Sequence, residues 1–202
     1  MPAIIKNKFT KEDHPWNWYI PLNATKLFIG TFPSESINRK YDFFYSSSTN
    51  RFWEVATQIA QPLNEINIET DEIKKRKLIL DKLKLGLTDM GKKVYRQQGS
   101  SKDHSLFPLE FMDIVQILQQ NLSIHTLIVS GNMQGNSSLK WLSVFCDLNN
   151  IPINIRQIEK HKSAKITVAG RNVNVLLTYS PSRLSRIKDE KLQESYQSIL
   201  LI

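Results

Sequence analysis

Cysteine is almost absent from this chain: among 202 residues only Cys146 carries a thiol. That excludes an intrachain disulfide and any iron–sulfur or zinc site built from several thiolates, and Cys146 itself reads as a small buried hydrophobe. Long apolar runs are missing too. No stretch approaches the ~20 residues that span a bilayer, and "MPAIIKNKFTKEDHPWNWYIP" has no signal-peptide h-region. The expectation is a cytoplasmic protein, neither secreted nor bound to a membrane. No repeat, linker or low-complexity segment divides the sequence, so one compact domain is expected.

What is present suffices for a core and leaves an excess of positive charge. Hydrophobic residues make up 41% of the chain, too many for a disordered one. Lys and Arg number 27 against 19 Asp and Glu, a formal net charge of +8. Such an excess favours polyanions, nucleic acid first, over acidic proteins or neutral small molecules.

Strand and helix signals alternate. Residues 1–24 carry Pro2, Pro15 and Pro21 with Trp16, Trp18 and Tyr19 between them, and read as an irregular arm packed on the domain formed by 25–202. "TKLFIG" is a short buried strand ending at Gly30. Phe52, Val55, Ala56 and Ile59 recur at helical spacing behind an N-cap at Thr49 or Asn50, which predicts a helix over 50–61. "ETDEIKKRKLILDKLK" is a second helix, acidic at its start and basic at its end as the helix dipole prefers. "LGLTDMG" is a short strand and "KKVYRQQGSSKDHS" a polar loop. Then come a helix in "EFMDIVQILQQN", a β-branched strand "HTLIVSG", a helix "SLKWLSVFCDLNN" and a short strand "INIRQI". "KITVAGRNVNVLLTYS" reads as a hairpin, and "SPSRLSR" leads into a last helix, "IKDEKLQESYQSILLI". The alternation predicts an α/β fold, a three-layer α/β/α sandwich with a mostly parallel central sheet. Ligands in such folds sit outside the C-terminal ends of strands, and the loops 30–49, 88–107 and 178–186 all follow predicted strands.

Three blocks resemble, in order and spacing, the uracil-DNA glycosylase superfamily: "GTFPSESINRKYDFFYSSSTNRFW", "GLTDMGKKVYRQQGSSKDHS", and "YSPSRLSR" followed by a C-terminal helix. The mismatch-specific uracil and thymine DNA glycosylases are the nearest branches, and the likeness runs from Thr25 to Ile202. It implies a uracil-DNA glycosylase-like domain and a monofunctional DNA glycosylase of base-excision repair. Such an enzyme flips a deaminated base (uracil, mismatched thymine or hypoxanthine) out of DNA and hydrolyses its N-glycosidic bond. DNA is the implied partner, the chain acts as a monomer, and neither metal nor cofactor is required, because donors aimed at the departing base and a positioned water supply the catalysis.

The resemblance also implies roles for single residues. Gly30, Thr31 and Phe32 form the turn whose backbone N–H groups meet a base oxygen. Tyr45 is the aromatic that stacks on the flipped base; without the motif it reads as a core aromatic beside Phe43 and Phe44. Asn50 is a candidate catalytic residue, with an N-cap as its other reading, and Phe52 and Trp53 are core anchors. Asp89 stands where many relatives carry an Asn that reads the pyrimidine edge, with a surface Asp at a strand end as its other reading. An ionised carboxylate only accepts, so Asp89 suits a base edge presenting N–H, such as N3–H of uracil or N1–H of hypoxanthine. Ser180 stands near the base oxygen. Arg183 and Leu184 fill the gap left by the flipped nucleotide, with Ser182, Ser185 and Arg186 on phosphates. His104 with "SSKDHS", and "RQIEKHKSAK", read as solvated polar segments first and DNA contacts second.

Position 32 departs from the family. Relatives orient the water with an Asn or Asp two residues after the Gly, where this chain has Phe32, whose ring neither accepts a proton nor orients water. Two alternatives stay open. "GTFP" is similar to the Gly-Ser-Phe-Pro of the hypoxanthine (deoxyinosine) DNA glycosylase branch, which works with another residue; Asn50, Asp89, Asp42 or Glu35 would then hold the water. Otherwise the pocket has lost its chemistry and the protein only binds DNA or an altered base.

Overall fold

The computed structural model describes residues 9–61, 69–98, 100 and 102–202. Pro2 and the rest of 1–8, read above as the start of the arm, lie outside the described residues.

Strands β1 (Phe9–Asp13) and β2 (Trp18–Tyr19) precede β3 (Lys26–Gly30), which is buried along its whole length. Helix α1 (Phe52–Ala60) starts where Asn50 Oδ1 accepts the Phe52 N–H at 2.8 Å. Helix α2 (Glu72–Leu83) is capped by Asp71, which accepts from the Ile73 and Lys74 N–H groups at 2.9 and 3.0 Å. Strands β4 (Leu85–Asp89), β5 (Gly91–Gln97) and β6 (Leu106–Phe111) follow, then α3 (Ile114–Gln120) behind the cap Asp113. Strand β7 (Thr126–Ser130) leads to α4 (Ser138–Leu148), capped by Ser137, and α5 (Ile155–His161), capped by Asn154. Strands β8 (Ser163–Val168) and β9 (Arg171–Thr178) form a hairpin turning at Ala169 and Gly170, with φ of 51° and 76° as a type I′ turn requires. Helix α6 (Asp189–Leu200) closes the chain.

The larger sheet has the order β2-β4-β3-β7-β9-β8. Its four inner strands are parallel, but both edge strands pair antiparallel, so the sheet expected as mostly parallel is mixed. A second, antiparallel sheet, β1-β5-β6, stands apart from it. Alternation along the inner strands creates two apolar layers. Leu27, Ile29, Leu127 and Val129 pack with Ile117, Trp141 and Ile158 of α3, α4 and α5. Phe28 and Ile128 point the other way, to Phe52, Leu80 and Tyr196 of α1, α2 and α6. Among the described residues three helices pack on each side of this sheet, which makes the fold a mixed α/β one.

Four local expectations are corrected. "KKVYRQQ" is mostly strand β5, because Val94 and Arg96 turn inward while Lys93 and Tyr95 turn out; the buried cation hid the period of two. "INIRQI" is helical, since Asn154 caps the Gln157 N–H at 3.0 Å and buries Ile158 one turn after Ile155. "EFMDIVQILQQN" begins as the end of β6 and becomes helix only after Asp113. Within the arm, residues 9–13 and 18–19 are strands, paired with β5 and β4. Among the described residues no helix is long and apolar enough to cross a membrane.

Candidate functional site

The parallel strands end together, and their last residues, Gly30, Asp89, Ser130 and Thr178, all line one open cleft of about 1180 Å³. Asp89 forms part of its floor, with a side chain only 5% exposed. Its Oδ2 accepts a hydrogen bond from His14 Nε2 at 2.9 Å, while its Oδ1 lies over Gly30, 2.0 Å from where a Cβ would be. His14 arrives from the segment between β1 and β2, its backbone N–H fixed to the Lys92 carbonyl at 2.8 Å. The imidazole packs among Trp16, Phe32 and Phe44, with ring centroids at 5.8, 5.5 and 5.9 Å. Its Nδ1 meets both the N–H and the carbonyl of Trp16. An ionised Asp89 can only accept, so Nε2 carries the proton between them.

Tyr45 stands beside this pair. Its φ is 53°, an uncommon conformation for an aromatic residue, and its ring is stacked on Phe52 at 4.5 Å and edge-on to Phe28 at 5.8 Å. The segment is held by Trp53 Nε1, which donates to the Phe44 carbonyl at 2.8 Å. The Tyr45 hydroxyl is buried without a hydrogen-bond partner among the described residues, and the Gly30 Cβ position is 2.6 Å from it. Burial first, and the negative charge of Asp89 second, raise this phenol well above its ordinary pKa.

A second carboxyl, Asp103, stands on the cleft wall in the turn between β5 and β6. Asn136 fixes this turn by donating to the Asp103 and Leu106 carbonyls at 3.0 and 2.7 Å. Asp103 is ringed by protein yet reached by solvent through the cleft mouth. Desolvation and then Asp89 push its pKa up to about 7, against the pull of Arg96 and of a hydrogen bond with Thr31. Arg96 is itself buried and ties three segments: Nε donates to Glu12 at 2.9 Å, Nη2 to the Pro33 carbonyl at 2.6 Å and Nη1 to the Ser100 carbonyl at 3.4 Å.

The rim is the loop before α6. Arg51, 4% exposed, donates through Nη1 to the Ile187 carbonyl at 2.8 Å and to Asp189 Oδ1 at 2.6 Å, and through Nη2 to the Ser182 carbonyl and Ser185 Oγ at 3.4 Å. Backbone bonds from Arg51 N to the Pro181 carbonyl and from Arg183 N to the Thr49 carbonyl, at 2.9 and 2.8 Å, join the first and last sequence blocks. Ser182 Oγ accepts the Leu184 N–H and Ser185 Oγ donates to the Ser182 carbonyl, so both hydroxyls brace the loop. Leu184 stays 63% exposed at its tip.

The cleft thus brings together Gly30, Thr31, Phe32, Tyr45, Asn50, Asp89, Ser180 and residues 182–186. Asn50 has its Oδ1 occupied by the Phe52 N–H, and Ser180 Oγ accepts the Ser182 N–H at 3.3 Å. Arg183 is engaged by Glu54, with both carboxylate oxygens at 2.6 and 2.9 Å. Phe32 is buried and belongs to the core as well as to the cleft wall. Asp42 and Glu35 are not among the residues that line the cleft; the Asp42 side chain is 81% exposed, 4.0 Å from Arg39. His14, Trp16, Arg39, Asp103, Asn132 and Asn136 line or support the site without having been singled out by sequence reasoning. For Asp103 the only signal was its polar loop; His14, beside Pro15, gave none. Among the described residues no three His, Cys, Asp or Glu side chains gather as a metal ion would need.

No protein-family model and no curated protein matches the chain. Among solved structures it is similar to a candidate uracil DNA glycosylase from Methanosarcina acetivorans, determined by solution NMR, with 15% identity and a TM-score of 0.58 over 91% of this chain and 92% of that one. At that identity the likeness is one of architecture: this chain has a uracil-DNA-glycosylase-like fold.

Proposed function

We propose that this chain is a monofunctional DNA glycosylase that removes a deaminated base from DNA by attack of water, with Asp89 as the group that receives the water's proton. The observation that carries this reading is the position of Asp89: a buried carboxylate among the ends of the parallel strands that line the cleft, one oxygen bound by His14 and the other over Gly30. Asn50 suits the role less, since its acceptor oxygen already serves the start of α1.

In this reading the net charge of +8 draws the chain to DNA, and the loop 182–186 meets phosphates while Leu184 occupies the space left by the flipped nucleotide. The base lies against the face of Tyr45 opposite Phe52. Backbone N–H groups of the 30–32 turn and the hydroxyl of Ser180 meet its oxygens. Water then forms a bond to C1′ as the C1′–N bond breaks, and the bonding pair leaves with the base. The water's proton passes to Asp89. The base takes up a proton from Asp103, which is held in its acid form to about pH 7. The buried phenyl ring of Phe32 takes no proton in this scheme.

Labelled duplexes and single strands containing uracil, hypoxanthine, xanthine, a G·T mismatch or an alkylated base, followed by alkaline cleavage of abasic sites, test the reading. Strand breaks at a deaminated base support it. Salt-sensitive DNA binding with no breaks at any base would instead establish a binding protein.

A further inference from the structure

Building on Asp89 as the proton acceptor, we propose that His14 is the residue that positions it, fixing Oδ2 so that Oδ1 alone is presented to the cleft. A carboxylate offers two equivalent oxygens and turns about its last torsion unless something holds one of them. Here the His14 side chain is 1% exposed and its Nε2 lies 2.9 Å from Oδ2, so water has no access to take its place. The imidazole cannot swing away: its backbone is bonded to Lys92, its Nδ1 to Trp16, and its faces and edges are boxed by Trp16, Phe32 and Phe44. With Oδ2 occupied, Oδ1 points over Gly30 toward the side where the Tyr45 hydroxyl also lies. Phe32 acquires a purpose in this arrangement. Its ring stands edge-on to the imidazole at 5.5 Å and 89° and seals it from the cleft.

A tie that merely anchored the first strands to the sheet would show the same distance, so the test separates rate from binding and from folding. Single-turnover base release and DNA affinity are measured for wild type, His14→Leu, His14→Gln, Asp89→Asn and the double variant His14→Leu/Asp89→Asn. His14→Leu is expected to slow release on the order of 10²-fold, as a misplaced catalytic group does, with DNA affinity unchanged. His14→Gln, whose amide N–H replaces the Nε2–H donor, is expected to recover most of that loss. In the Asp89→Asn background His14→Leu is expected to add almost nothing, because a residue acting through Asp89 has nothing left to act on. His14→Leu releasing base at the wild-type rate overturns the assignment, and so does an equal further loss in the double variant. If the Leu variant does not fold, the comparison of His14→Gln with wild type in both backgrounds decides: a Gln variant as slow as Asp89→Asn overturns it. Failure of the glycosylase reading itself looks different, as a wild-type protein that releases no base, and it takes this assignment with it.

Discussion

Gly30 and Asp89 face each other across the β3–β4 pair, and a Cβ on Gly30 would stand 2.0 Å from Asp89 Oδ1 and 2.6 Å from the Tyr45 hydroxyl. The backbone here is not left-handed, so the glycine is required for space beside the carboxylate and not for conformational freedom. Gly30→Ala is expected to displace Asp89 from its place against His14, lowering single-turnover base release by roughly 10²-fold. The crowding should cost about 1–3 kcal/mol of stability, read by thermal melting. Release at the wild-type rate would show that the placement of Asp89 is immaterial to the reaction.

Arg51 fastens the cleft rim. Its guanidinium holds the Ile187 carbonyl and Asp189 while its backbone holds Pro181, so the loop carrying Leu184 hangs on one buried cation. Arg51→Met leaves these acceptors unmatched and is expected to cost about 1–3 kcal/mol. It should also speed amide exchange across 182–187 and weaken DNA binding. Asp189→Ala removes only an exposed partner and is expected to cost about 1 kcal/mol or less. Hydrogen exchange on both variants checks this; equal protection of the loop in Arg51→Met and wild type would contradict it.

Asp103 is the group expected to shape the pH response. Its pKa in the folded chain is raised to about 7 from the ordinary 3.8, so the fold binds its proton more tightly than the unfolded chain does. Its contribution to stability is therefore present below the ordinary value and is lost as pH rises toward about 7. If the acid form also serves the departing base, release should fall above about pH 7. Asp103→Asn, fixed in a neutral form, should flatten that alkaline fall, lower release at pH 6, and melt higher than wild type, relative to their difference at low pH, once the pH passes 7. A pH series of release rates and melting temperatures on the two proteins reads both effects. An alkaline fall that survives in Asp103→Asn belongs to another group.

The layers of the fold were legible where local pattern and burial agree. Strands β3 and β7 are continuous apolar runs, and the β8–β9 hairpin declares itself in Ala169–Gly170 between alternating strands. Legibility failed where a tertiary partner changes what a residue is for. Arg96 looked like a loop cation but is buried by bonds to Glu12 and Pro33 from two other segments. The three blocks carried Gly30, Asp89 and the rim, because these lie at or directly after the ends of β3, β4 and β9, whereas Ser130 at the end of β7 lies in none of them. His14 and Asp103 depend on contacts that local sequence does not encode: His14 meets Asp89 75 positions away, and Asp103 answers to Thr31 and Arg96. Arg183, read with Leu184 as a residue filling the gap left by the flipped nucleotide, is held by Glu54 on α1, 129 positions distant.

The central claim is that Asp89 takes the proton of a water that severs an N-glycosidic bond in this cleft. Single-turnover release of the best base of the panel, measured with wild type and Asp89→Asn at matched DNA occupancy, tests it most directly. The account predicts release by wild type and a loss of roughly 10²–10⁴-fold in the variant, the range of a proton-transfer group, at nearly the same DNA affinity. Release by Asp89→Asn at the wild-type rate, or tight DNA binding by wild type with no base released, would contradict it.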